Sequence, residues 1–210
     1  MEPETNEVMA MAMRAKGQRT EAALQEAARE VFAKKGYFRT KISDITEAAG
    51  RSAGSFYNYY DSKEQLLESL LDLFSAEVLD VSLQAKTHDP YATIRTAVAA
   101  YFAAYRKYLP ELVGVFHLSM TEESFARRWR ENRAVGFRSI ISGIAQLEKS
   151  GHKVDLDHDA LASALISMLD SYCWTSMVAG GELAGGPIDD ETAIETIAGI
   201  WYRAVFAAKP

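Results

Sequence analysis

The sequence predicts an all-α fold of about nine helices, and three observations carry that prediction. Apolar residues recur at three- and four-residue spacing along most of the chain, the repeat of a helix with one buried face. No run of alternating apolar and polar residues is long enough to read as a strand. Glycine, proline and Ser-Gly stops fall between the periodic segments, at intervals suited to helix ends.

The elements follow in order. Residues 1–15 are polar and read as a loosely ordered tail. A first helix begins near Gln18, carries Leu24, Ala27, Ala28, Val31 and Phe32 on one face, and stops at Gly36. Ile42, Ile45, Ala48 and Ala49 form the buried stripe of a second, which Gly50 ends. Ser52 caps a third, running to about Tyr59, with Phe56 and Tyr60 as its inward anchors. Ser62 caps a long fourth helix through Leu66, Leu67, Leu70, Leu71, Phe74, Val78 and Leu79, with Glu64 suited to its first turn.

After Thr87-His88-Asp89-Pro90, a fifth helix spans about Tyr91 to Tyr108 and breaks before Pro110. A short apolar sixth covers Leu112–Leu118, and a long seventh runs from Glu122 to about Lys149, where Ser150-Gly151 stops it. Asp157 caps an eighth to about Ala179. Glycines 180, 181, 185 and 186 with Pro187 form a flexible connection, and Asp189 or Asp190 opens a ninth helix to about Ala207.

The formal net charge is −6, which at first argues against a polyanionic partner. Its distribution reverses that reading. Residues 14–63 hold ten basic and six acidic side chains, a net +4. The first thirteen residues are −3, and residues 64–210 are −7. A basic module on an acidic body is the asymmetry expected when only one end meets a polyanion, although +4 over fifty residues also fits ordinary surface charge. Within that module, two short helices joined across Gly50 present the second as a rod for a major groove.

Residues 32–66 resemble the head of the TetR family of transcriptional regulators. The matched pattern is Phe-x-x-x-Gly-Tyr at Phe32–Tyr37, then Thr40, then Ile-x-x-Ile-x-x-x-Ala-Gly at Ile42–Gly50. It closes with Gly-Ser-Phe-Tyr-x-Tyr-Tyr-x-Ser-Lys-Glu-x-Leu at Gly54–Leu66, and the likeness extends over roughly Arg19 to Leu71. The resemblance implies a DNA-binding helix-turn-helix domain over residues 16–62 and a ligand-binding, dimerising body over 63–210.

The candidate DNA contacts are Thr40, Lys41, Arg51, Ser52, Ala53, Gly54, Ser55, Tyr57, Asn58, Tyr59 and Lys63. Gly54 lets the backbone approach the duplex, and the hydroxyls, amide and cations hydrogen-bond phosphates or base edges. Lys63 at a helix start reads as a phosphate clamp. Tyr60 sits at an apolar position and reads as core. The sequence departs from the family pattern at Thr46, Arg51 and Ala53, so no operator sequence is legible. Arg51 is open between base reading, phosphate holding and a solvated surface position.

The body carries no comparable motif. Its aromatic residues suggest a pocket for a small lipophilic effector, lined by Tyr101, Tyr105, Phe116, His117, Trp129 and Tyr172. The eighth and ninth helices have more apolar width than one core needs, which suits a homodimer through these last two long helices. Catalysis and metal binding find no support. No nucleophile elbow, phosphate loop or Glu-x-x-His pair occurs, and His152–Asp159 reads as a solvated loop with Asp157 as cap. No catalytic residue, metal or cofactor is expected. The single Cys173 excludes an intramolecular disulfide and reads as a buried thiol. No membrane span or leader is visible, so a cytoplasmic protein is expected. The function implied is a repressor on a near-palindromic operator, released by the effector. A transcriptional activator of the same family, or a helical binding or scaffold protein without specific DNA binding, is the alternative.

Overall fold

A computed structural model describes residues 3–84, 89–181, 186 and 188–206. Among them are nine helices and no strand: α1 (Pro3–Lys35), α2 (Ile42–Ala48), α3 (Ala53–Tyr57), α4 (Lys63–Gln84), α5 (Pro90–Lys107), α6 (Leu109–Thr121), α7 (Glu123–Lys149), α8 (His158–Met177) and α9 (Asp190–Phe206). The all-α expectation holds. Two compact units form, one of Met1–Leu70 with Pro110–His117, the other of Leu71–Leu109 with Leu118–Pro210. The first therefore runs past the predicted head and takes in the first turns of α6.

The helix ends follow local chemistry. Gly36 ends α1 at φ +75°, its N–H bonded to Phe32 O at 2.8 Å, and Gly50 turns the chain after α2 at φ +61°. Ser52 caps α3 by accepting from Ser55 N–H at 3.1 Å. Asp157 caps α8 through Ala160 N–H at 2.8 Å, and Asp189 holds Thr192 at the start of α9. Pro90 fills the first position of α5 behind the cap of Asp89. The predicted connection at Thr87-His88, the loop residues Gly185 and Pro187, and the predicted helix end at Ala207 lie outside the described residues.

Two elements differ from the sequence reading. Helix α1 begins at Pro3, where a loosely ordered tail is expected. The segment is built largely of Glu, Met, Ala and Arg, all favourable in helices, and extending an existing helix needs no new nucleus. Helix α3 is shorter than predicted and ends at Tyr57, because Asn58 is already its C-cap.

In the first unit, Leu24, Phe32, Ile45, Phe56, Leu66, Leu67 and Leu70 are all but completely buried. Each contributes about 1.5–3 kcal/mol relative to exposure. The α6 segment joins this core through Leu112 and Val115. Gly114 lets it approach: a Cβ there would meet Tyr37 Cβ and Cγ at 3.0 Å and Leu67 at 3.4 Å. Tyr37 cannot yield easily, because its hydroxyl donates to Glu64 at 2.8 Å. Gly114→Ala gains about 1 kcal/mol of helix propensity but overpacks by more, and a net loss of about 1 kcal/mol is expected in urea denaturation. A net gain would show that Tyr37 moves freely.

In the second unit, Ile144 of α7, Leu161 and Leu165 of α8 and Val205 of α9 form one buried cluster with Val154, and Phe102, Phe125 and Ile197 are buried as well. Cys173 is fully buried there, as expected, and burial pushes its thiol up to about 12, far from reactivity. Arg95 pairs with Glu191 and Glu195, and Arg106 with Asp190, along the α5–α9 seam. Surface pairs of this kind orient helices more than they stabilise them.

Candidate functional site

Helices α2 and α3 meet across Gly50, and Arg51 N–H reaches back to Thr46 O at 2.8 Å, which fixes the turn. Helix α3 is anchored from below by Phe56, fully buried, and by Tyr60, whose ring lies 5.7 Å from that of Phe56. Tyr60 hydroxyl bonds Glu21 at 3.3 Å, and the core role read from the sequence holds. With Phe56 and Tyr60 turned inward, Arg51, Ser52, Ala53, Gly54, Tyr57 and Asn58 are exposed. Tyr57 is 56% exposed. Ser55 and Tyr59 are half-buried, and Lys41 is exposed at the start of α2. Gly54 has open space outside it: a Cβ added there would meet nothing nearer than Ser52 Oγ, at 3.9 Å.

Two expected contacts are placed differently. Thr40 is buried, 3% exposed, and its hydroxyl donates to Gly36 O at 2.9 Å. It braces the α1–α2 connection and turns no hydroxyl outward. Lys63 Nζ donates to Tyr37 O and to Thr40 O, each at 3.0 Å, and lies 4.1 Å from the centroid of the Tyr37 ring. Partial burial lowers its pKa. Position at a helix start made it look like a phosphate clamp, but its ammonium is already engaged by the protein.

Also in the first unit, Glu111 of α6 is buried at 2% exposure, with Arg29 Nε of α1 at 3.4 Å. Neither carboxylate oxygen has a hydrogen-bond partner among the described residues. Burial raises the carboxyl to about 7 despite the pull of Arg29 and the backbone.

The expected effector residues divide. Phe116 and His117 belong to the first unit, where exposed His117 stacks edge-on against Phe38 at 5.5 Å. Their helical neighbours gave no sign that α6 is shared between units. Tyr101, Tyr105, Trp129 and Tyr172 belong to the second unit. Tyr101, Tyr105 and Tyr108 surround Phe74 at centroid distances of 5.8, 6.5 and 6.0 Å, all edge-to-face, and Tyr172 lies 5.9 Å from Phe102. Trp129 is half-buried on α7.

Sequence reasoning missed the polar end of this cluster. Tyr101 hydroxyl donates to Asp170 Oδ1, and Arg133 Nη1 pairs with Asp170 Oδ2. Arg133 Nη2 also bonds Ser167 Oγ at 3.1 Å. One signal was available: Asp170 is the only charged residue of α8 beyond its first turn. Among the described residues no group of acidic, His and Cys side chains could hold a metal ion, and no helix is long and apolar enough to cross a membrane.

Residues 24–70 match the family model described as bacterial regulatory proteins, tetR family. The transcriptional regulator TtgR of Pseudomonas putida is 42% identical over 55 residues, 26% of each chain. The repressor KstR2 of Rhodococcus jostii is 33% identical over 90 residues, 42% of this chain and 43% of its own. These alignments span between a quarter and half of the relatives' lengths. Over the whole chain, a TetR-family regulator of Syntrophomonas wolfei superposes with a TM-score of 0.74 at 16% identity, covering 91% of this chain and 97% of its own.

Proposed function

We propose, for a chain that belongs to the TetR family of bacterial regulators, that it is a homodimeric transcriptional repressor which a small lipophilic effector releases from a near-palindromic operator. One observation carries the reading: Arg51, Ala53, Gly54, Tyr57 and Asn58 are exposed together on and around α3, while Phe56 and Tyr60 lock the opposite side into the core. A helix held rigidly from beneath, with a small-residue gap at Gly54, suits close approach to a major groove. Lys41 stands with them as a phosphate contact, and Ser52, Ser55 and Tyr59 complete the set. Base reading falls chiefly to Arg51, whose fork matches guanine O6 and N7.

The dimer uses α8 and α9. Ile200 of α9 is 46% exposed, and Trp201 beside it is only half-buried. An open groove of about 580 Å³ between Tyr91 and Tyr202, floored by Gly199 and Ile200, lies on the same helix and is covered by the second copy. The effector binds by the Phe74 cluster of the second unit. Helix α4 contributes residues to both units, which makes it the element that carries the effector's preference to the head.

The test is a gel shift with DNA from upstream of the chain's own gene, across a salt series. Tight, salt-sensitive and sequence-selective binding is expected, and Arg51→Ala should weaken it by about tenfold and relax selectivity. Selectivity retained in Arg51→Ala combined with Tyr57→Ala would remove α3 as the reading element.

A further inference from the structure

From the cluster at Asp170, which builds on the effector reading above, we infer that the effector is a lipophilic organic cation, and that the Arg133 guanidinium occupies the place of its charged group. Three features of the cluster point the same way. First, the neighbourhood is aromatic: Phe74, Tyr101, Tyr105 and Tyr108 pack within one 5.8–6.5 Å ring network, and Tyr101 carries the hydroxyl that meets Asp170. The negative faces of such rings attract cations and repel anions, most strongly out of water. Second, the anion is the fixed member of the ion pair. Asp170 is held by the Tyr101 hydroxyl, and its side chain is 15% exposed.

The cation is the movable member. Arg133 is 28% exposed and already leans outward onto Ser167, itself exposed on α8. Its guanidinium can swing to Ser167 and water, keeping its hydration, while its methylene stem stays packed. An arriving cation then inherits a buried, oriented carboxylate, so no charge is left unpaired. An arriving anion would have to expel Asp170 from Tyr101 and face the same rings. Third, the second unit, residues 71–109 and 118–210, carries a net −4, which concentrates cations around it.

This makes Arg133 a competitor of the ligand and Asp170 its partner, so the two variants should move affinity in opposite directions. The test is calorimetric titration of the full chain, in sodium buffer, with three probes of matched shape: tetraphenylphosphonium, tetraphenylborate and triphenylphosphine oxide. Tetraphenylphosphonium should bind at least about tenfold tighter than tetraphenylborate. Asp170→Asn should weaken the cation by about tenfold or more, and Arg133→Gln should tighten it severalfold. A merely structural Arg133 would weaken binding when removed, so the sign for Arg133→Gln decides the matter even if Asp170→Asn fails to fold. Equal or tighter binding of the borate or the oxide would overturn the cation and leave a lipophilic effector standing. Failure of all three probes to bind would overturn both.

Discussion

Lys63→Met is expected to cost the first unit about 2 kcal/mol while leaving the salt dependence of DNA binding unchanged. The ammonium donates to Tyr37 O and Thr40 O at 3.0 Å each, and lies over the Tyr37 ring at 4.1 Å. Hydrogen bonds from a charged donor contribute about 1.5–3 kcal/mol each when buried, and a cation over a ring about 0.5–1. Water reaches this half-buried side chain, which brings the total down to about 2 kcal/mol. Met keeps the stem that packs beside Tyr37 and removes only the donors.

The connection from Gly36 to Lys41 would then lose its tie to the first turn of α4. Amide hydrogen exchange in α1–α3 should speed up accordingly. Lys63→Arg separates bracing from phosphate contact. A planar fork cannot reproduce two carbonyl bonds and a ring contact from one point, so Arg should restore charge but not stability. If Lys63 instead held a phosphate, Lys63→Met would lower the slope of log affinity against log salt by about 0.9. That outcome, with unchanged exchange rates, would return Lys63 to the DNA interface.

Lys63 marks where the sequence is legible and where it is not. The buried stripes were readable, because helix burial follows a fixed period: Leu24, Phe32, Ile45, Phe56 and Leu70 all lie where their spacing puts them. Caps were readable too, since Ser52, Asp157 and Asp189 act on atoms three residues away. The outward face of α3 followed once Phe56 and Tyr60 were recognised as anchors. What could not be read depends on partners far along the chain. Lys63 meets a carbonyl 26 residues earlier, Arg133 meets a serine 34 residues later, and Tyr101 meets a carboxylate 69 residues later. Periodicity reports that a residue is buried or exposed, and it is silent on which helix lies opposite. For the same reason Phe116 and His117 looked like part of the aromatic set of the body, although they pack in the first unit.

The first unit should also lose stability as pH rises from about 5 to 8, by up to about 3 kcal/mol, and Glu111→Gln should remove that loss. The Glu111 carboxyl is raised from 4.5 in the unfolded chain to about 7 in the fold, first because burial disfavours its charge. Between those two values the folded state binds more protons than the unfolded one. Stability therefore falls with rising pH: the favourable contribution is full below 4.5 and gone above about 7. A shift of about 2.5 units at about 1.36 kcal/mol per unit sets the upper bound of about 3 kcal/mol. Arg29 lowers the penalty without cancelling it, its Nε lying 3.4 Å from one carboxylate oxygen.

Gln has nearly the same shape and no titration, so the difference between the two chains cancels every other ionisable group. Urea denaturation of both at pH 5, 6, 7 and 8 should give curves that diverge steadily, with Glu111→Gln the more stable at pH 8. Glu26 raises the Glu111 pKa through its own charge, so Glu26→Gln should narrow the divergence at neutral pH without abolishing it. Parallel curves for the parent and Glu111→Gln would mean that the carboxylate is charged throughout and that Arg29 compensates its burial in full. Glu111 lies in the first turn of α6, outside the helix-turn-helix itself. A divergence confined to amides of α1–α3 in hydrogen exchange would show that this turn sets the stability of the α3 surface.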